Sequence, residues 1–123
     1  MKDIDRYYKK VIESVKLLAL PYEQQKLFFP AFVDAPFEVL DTFGHAFLLL
    51  PQLVEDNRFS NAGIGSLLRL WNMIELTART PELKDLEEDQ FSTHESWEKV
   101  RGLARDALIR IGEPLEKPDP HYI

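Results

Sequence analysis

The chain has 123 residues, a length typical of one domain, and its apolar fraction of 45% argues against disorder. It contains no cysteine, which excludes a disulfide framework, a thiolate nucleophile and a cysteine-ligated zinc site. Its formal net charge of −6 disfavours binding to nucleic acid phosphates, which requires clustered lysine and arginine.

Hydropathy gives no sign of a membrane segment or an export signal. The longest strongly apolar run, residues 46–50, is far shorter than the ~20 residues that span a bilayer. The charged N-terminal sequence leads into a mixed polar segment without a hydrophobic signal region. We therefore expect a cytoplasmic protein that binds neither membranes nor nucleic acid.

The first two predicted helices lie on either side of Pro21. Apolar residues recur at helical spacing over residues 3–19, which predicts a long amphipathic helix. Glu13 and Lys16 fall among the polar positions of this helix, and we expect them to face solvent. Residues 22–29 predict a short second helix that stops before Pro30.

Residues 27–37, here called the aromatic loop, combine phenylalanine with proline. Their aromatic and proline residues are Phe28, Phe29, Pro30, Phe32, Pro36 and Phe37. Two prolines in so short a stretch exclude a long regular helix. One interpretation is that the loop folds its aromatic side chains into the core. The alternative is an exposed aromatic patch, in which Phe28, Phe29 and Phe32 bind a partner.

A third helix is predicted to begin at Asp34, which supplies a capping side chain, with Pro36 in the first turn. It runs to about Leu50, and Pro51 then kinks or ends it. Residues 52–57 predict a further turn, and residues 58–63 predict a loop.

Residues 64–78 predict the most apolar helix of the chain. Its polar positions form a narrow stripe with spacings of 4, 3, 3 and 4: Gly65, Arg69, Asn72, Glu75 and Arg79. A helix that is apolar nearly all round is typical of a central position. We therefore expect this helix at the centre of the core, with Trp71 largely buried.

The last predicted helix begins at a capping box over residues 92–95 and runs to about Ile111, where Gly112 caps its end. Trp97 lies on its apolar face, and we expect it to be buried. A helical turn is predicted over residues 82–88. Together these elements predict an all-α domain over residues 1–112, a compact bundle of about five helices around the 64–78 helix. Residues 113–123 are a proline-rich C-terminal tail.

The sequence contains no catalytic or metal-binding motif. Its three histidines, His45, His94 and His121, include no two on one helix face, and no serine lies in a nucleophile elbow. Asp41 and His45 are four residues apart, which permits an acid–base dyad but more commonly reflects a local hydrogen bond. We expect no enzyme, no cofactor and no metal.

The layout of the chain, with segments such as residues 18–25 (LALPYEQQ) and 96–101 (SWEKVR), is similar to a group of small bacterial immunity proteins. Those proteins are encoded beside toxins of contact-dependent inhibition and other polymorphic toxin systems. The resemblance implies a cytoplasmic inhibitor that binds one cognate toxin domain, often a nuclease, and neutralises it. It carries over no functional residue.

The acidic segment, residues 82–98, supplies the first candidate surface for a cationic toxin domain. It holds seven carboxylates and one lysine, a net charge of −6 that equals the imbalance of the whole chain. The candidate residues are Glu82, Asp85, Glu87, Glu88, Asp89 and Glu95. Complementary charge accelerates encounter and selects the partner.

Other interpretations stay open. In the first of them, the acidic segment only keeps the protein soluble, and the aromatic loop is the part that binds the partner. In another, the chain is a homo-oligomeric structural or regulatory module, and the aromatic loop is the interface of a homodimer. The third is a small enzyme whose site is not recognised.

Overall fold

The fold is all-α, as predicted. A computed structural model describes residues 2–80 and 87–123, and these residues contain no strand. Their α-helices are α1 (Lys2–Ala19), α2 (Tyr22–Gln25), α3 (Ala35–Phe47), α4 (Leu50–Glu55), α5 (Asn61–Arg79), α6 (Glu88–Thr93) and α7 (Glu95–Ile111). Two 3₁₀ helices cover Lys26–Phe28 and Pro120–Tyr122. None of the described helices is both long enough and apolar enough to cross a bilayer.

Two helix ends lie where local motifs predict them, and the start of α5 does not. Asp34 accepts a hydrogen bond of 3.2 Å from the Phe37 backbone N–H at the start of α3. Ser60 accepts one of 3.1 Å from the Gly63 backbone N–H, so α5 begins three residues earlier than predicted. Gly112 ends α7 with a left-handed φ of 93°.

The capping box predicted at residues 92–95 is wrong. Ser92 and Thr93 belong to α6, and His94 caps α7 by accepting a hydrogen bond of 3.1 Å from the Ser96 backbone N–H. Phe91 explains the difference, because this ring is buried and its helix continues beyond it before the chain turns into α7. The turn predicted over residues 82–88 lies mostly outside the described residues, and α6 begins at Glu88.

Helix α1, not α5, lies at the centre of the core. Residues 11–19 are all buried, and α1 packs against α3, α4, α7 and the C-terminal 3₁₀ helix. Helix α5 packs mainly against α7 and leaves Leu68 45% and Leu76 65% exposed. The prediction of a central 64–78 helix is therefore wrong, because apolar content alone does not determine which helix is covered on every side.

The two tryptophans differ in burial. Trp97 is 1% exposed and lies 5.0 Å from Phe91 between ring centroids, as predicted for a core residue. Trp71 is only partly buried, and it stacks on Phe47 at 4.7 Å. Trp71 is thus less enclosed than Trp97, although it packs against the core through Phe43 and Phe47 of α3.

The C-terminal tail folds back onto α1. The Tyr8 hydroxyl donates a hydrogen bond of 2.7 Å to Glu113, and the Lys16 ammonium donates one of 3.0 Å to Glu116. Pro118 is buried, and Ile123 packs against the core. The tail therefore covers one side of α1 that the helices leave open.

The C-terminal tail also buries an ion pair on α1. Lys16 lies 3.1 Å from Glu13, and both side chains are almost inaccessible to solvent. The Asp119 backbone N–H donates a hydrogen bond of 2.7 Å to Glu13. The expectation that Glu13 and Lys16 face solvent is wrong, because residues distant in the sequence cover them.

Candidate protein-binding surface

The aromatic loop places some of its rings in the core and others in solvent. Phe28 and Phe29 are partly buried and pack against the core. Phe32 is 90% exposed and Phe37 51% exposed. The Val33 backbone N–H donates a hydrogen bond of 3.2 Å to the Pro30 carbonyl, so the chain turns tightly around Phe32. The first interpretation therefore holds for Phe28 and Phe29, which are not part of an exposed patch. The exposure that the second interpretation requires is seen at Phe32, and the role of Phe32 in binding stays a prediction.

The described carboxylates of the acidic segment face solvent. Glu87, Glu88, Asp89 and Glu95 are all exposed. Glu82 and Asp85 lie outside the described residues. The side chains of Glu87 and Asp89 form no ion pair with the described residues, so they present uncompensated negative charge.

Glu88 connects the acidic segment to α2. Its carboxylate accepts a hydrogen bond of 2.7 Å from the hydroxyl group of Tyr22, whose ring meets Phe91 edge-on at 5.5 Å. Burial, and then this hydrogen bond, raise the pKa of Tyr22 above its ordinary value of 10.0. The charges of Glu88, Asp34 and Glu23 act in the same direction.

A cleft of 390 Å³ lies where these elements meet. Its walls come almost entirely from the aromatic loop, including Leu27, Phe29, Pro30 and Val33, and Glu88 is the contribution of α6. Leu27 itself is 77% exposed at the edge of the cleft. Glu88 thus places one end of the acidic segment beside the aromatic loop, and we call residues 27–37 with residues 87–89 the aromatic–acidic surface. Phe28 lines a separate cleft with Lys117 and Pro120, and Glu95 lies at the start of α7.

Sequence reasoning identifies the members of this surface but not their contact. Residues 27–37 and 87–89 are brought together by the packing of α2 and α3 against α6, around the buried Phe91. Sequence reasoning misses Lys26, which lines the cleft beside this surface, and its partner Glu23. They form an ion pair of 2.8 Å, and the hydrogen bond to Glu23, followed by its charge, raises the pKa of Lys26. The spacing of three residues on a helical turn is the sequence signal that indicates this pair.

Asp41 and His45 line a different, polar pocket of 370 Å³ between α1, α3 and the C-terminal 3₁₀ helix. The His45 Nδ1 atom lies 3.0 Å from the Asp41 backbone carbonyl and 3.3 Å from its carboxylate. These contacts join residues one helical turn apart. The described residues contain no group of three or more histidine, aspartate or glutamate side chains arranged to hold a metal ion.

A second, apolar groove runs between the end of α3, α4 and α5. It measures 570 Å³ and its lining residues include Phe47, Leu48, Pro51, Val54, Ile64 and Leu68. Leu48 is 72% exposed at its edge. This groove is separate from the aromatic–acidic surface, because the end of α3, α4 and α5 form its walls.

Comparisons with protein-family models, curated proteins and solved structures find no match to the chain.

Proposed function

We propose that this chain binds a partner protein through the aromatic–acidic surface, and that the partner is a cationic toxin domain which it neutralises in the cytoplasm. The observation that carries the proposal is the position of Glu88 beside the aromatic loop. It puts an exposed phenylalanine, a cleft with mixed polar and apolar walls, and carboxylates without an ion pair within one surface.

The chemistry of this surface suits a basic protein. Aromatic side chains are enriched at protein interfaces, because they bury a large area with little loss of conformational freedom. A few such well-buried residues commonly dominate the binding energy. Phe32 is the most exposed large apolar side chain among the described residues. The surrounding carboxylates would steer a cationic partner, and nucleases have cationic clefts because they hold phosphates.

A growth assay tests the toxin part of the proposal. Each reading frame that neighbours the gene is expressed in a sensitive bacterium, first alone and then together with this chain. We expect one of them to stop growth alone and to permit it when co-expressed. If a neighbour stops growth and the chain neither binds nor neutralises it, the proposal is wrong.

The contribution of the aromatic ring is tested by Phe32→Ser. We expect this substitution to weaken binding to the neutralised toxin by about 2 kcal/mol or more, the cost of removing an interface hot spot. Ile109→Ser is the matched control, since Ile109 is 72% exposed on α7, outside the surface. Titration calorimetry measures both variants. Equal affinities of the Phe32→Ser and Ile109→Ser variants would show that Phe32 is not part of the interface.

Removing the carboxylates should affect the rate of association with the toxin. Glu87→Gln with Asp89→Asn should mainly slow association and reduce its dependence on salt, because rim charges act on encounter. Glu88 is left unchanged since it accepts the Tyr22 hydrogen bond. The control variant, Asp3→Asn with Asp106→Asn, also removes two negative charges, but on α1 and α7, outside the aromatic–acidic surface. Stopped-flow association kinetics at low and high salt distinguish the pairs, and identical rates would contradict an acidic interface.

A further inference from the structure

Leu27 lies between two clefts. One is the cleft of 390 Å³ that Glu88 also lines. The other measures 280 Å³ and lies between α2, the aromatic loop and the C-terminal tail, and we call it the tail cleft. Its walls are Gln24, Leu27, Phe28, Lys117 and Pro120. Leu27 is 77% exposed, so its side chain forms a ridge that a bound partner would contact from both clefts.

The tail cleft has a cation that is not compensated within the chain. Lys117 is exposed and forms no ion pair with the described residues. The carboxylates nearest to it in the sequence have other partners. Glu116 lies 3.0 Å from Lys16, and Asp119 accepts a hydrogen bond of 2.9 Å from the His121 backbone N–H. An ammonium group is therefore available to a carboxylate from outside the chain.

The backbone on both sides of Lys117 is held against α1. Glu116 bonds to the buried Lys16, and Pro118 is itself buried. The Asp119 backbone N–H donates a hydrogen bond of 2.7 Å to the buried Glu13. A buried ion pair is weak evidence for stability but can help to specify one arrangement of the chain. Here the pair of Glu13 and Lys16 fixes the part of the tail that carries Lys117.

We propose that the tail cleft binds an aspartate or glutamate side chain of the partner protein. The carbon atoms of such a side chain would pack against Leu27, Phe28 and Pro120, and its carboxylate would pair with Lys117. The partner is the one that binds the aromatic–acidic surface, and to this extent the inference rests on the proposed function. A cationic toxin domain would then place basic groups near Glu88 and one acidic group across Leu27, which sets its orientation.

A small carboxylate tests the tail cleft without the partner. The probe is isocaproate, a carboxylate on a short branched carbon chain, and its control is isocaproamide, which has nearly the same shape without the charge. Two-dimensional amide NMR of the isotope-labelled full chain follows both titrations. We expect isocaproate to shift the resonances of Leu27, Phe28 and Lys117 saturably. Isocaproamide should bind about threefold to fivefold more weakly, the range of an ion pair at an exposed site.

Two matched variants assign the charge. Lys117→Met removes the ammonium group and should weaken isocaproate binding by about threefold to fivefold, while isocaproamide binding stays unchanged. Lys99→Met is the control, because Lys99 is exposed on α7, outside the cleft. Equal affinities of isocaproate and isocaproamide would overturn the inference. So would shifts confined to other parts of the chain, or an isocaproate affinity that Lys117→Met leaves unchanged.

The toxin identified by the growth assay tests the link to the partner. Lys117→Glu should weaken its binding about tenfold or more, because two carboxylates would then face each other. If the toxin is neutralised and Lys117→Glu binds it as tightly as the unaltered chain does, the inference is wrong and the proposed function stands. If no neighbouring reading frame is neutralised, the proposed function fails, and the isocaproate titration still decides whether the tail cleft binds a carboxylate.

Discussion

Replacing Trp97 by alanine should destabilise the fold by about 3–5 kcal/mol, because the substitution leaves a large cavity in a packed interior. Trp97 is 1% exposed and touches Phe91, which in turn meets Tyr22. The variant should therefore also loosen α6, on which the aromatic–acidic surface depends. For a chain of this size the melting temperature should fall by roughly 10 °C or more.

Thermal denaturation followed by circular dichroism measures this effect. Trp71→Ala is the informative comparison, because Trp71 is partly buried and keeps one side toward solvent. We expect Trp71→Ala to cost clearly less than Trp97→Ala, and Ile109→Ala on the exposed side of α7 to cost least. If the two tryptophan variants had the same melting temperature, the difference in burial between Trp71 and Trp97 would be contradicted.

Replacing Lys16 by methionine should cost a comparable 3–5 kcal/mol, for an electrostatic reason. The side chain of Lys16 is 6% exposed and that of Glu13 is 4% exposed. Methionine fills a similar volume but leaves the Glu13 carboxylate buried without a cation. Removing both charges, in Glu13→Gln with Lys16→Met, should recover most of the loss because no unpaired charge then remains. Urea denaturation of the two variants measures the recovery.

The same pair predicts how stability depends on pH. Burial alone lowers the pKa of Lys16, but the hydrogen bonds and charges of Glu116 and Glu13 outweigh it and raise the pKa above 10.5. A raised pKa in the folded state means that the contribution is fully present below pH 10.5 and is lost as pH rises through the folded-state value. The unaltered chain and Lys16→Met should therefore converge in stability under alkaline conditions. A difference that stayed constant there would show that the ammonium charge is not responsible.

Local sequence motifs predict helix ends correctly in this chain where neighbouring residues determine them. They fail where packing against distant segments determines the helix end. Asp34 and Gly112 each act within a few residues of their own position, so the sequence is sufficient to place them. His94 shows the limit: the capping pattern at Ser92 is valid locally, but the burial of Phe91 keeps Ser92 inside α6. Tertiary packing overrides local preference there.

The same distinction applies to the core and to the candidate surface. Glu13 and Lys16 have the spacing of a solvated helix face, and only the returning tail buries them. Glu88 and Phe29 are both identified from composition, whereas their common cleft depends on how α2 and α6 pack. Exposure of Phe32 and burial of Phe29, three residues apart, follow from the turn at Pro30, which no periodic pattern encodes.

The return of the tail to α1 has a consequence for synthesis of the protein on the ribosome. The hydrogen bonds from Tyr8 to Glu113 and from Lys16 to Glu116 join residues 105 and 100 positions apart. Contacts between such distant residues form late, because the entropy of closing a long loop must first be overcome. Helix α1 is translated before the other described helices, yet its packing is completed only when residues 113–119 are available. Its ionised pair therefore stays hydrated until the tail has been translated, and only then does water leave this part of the interior.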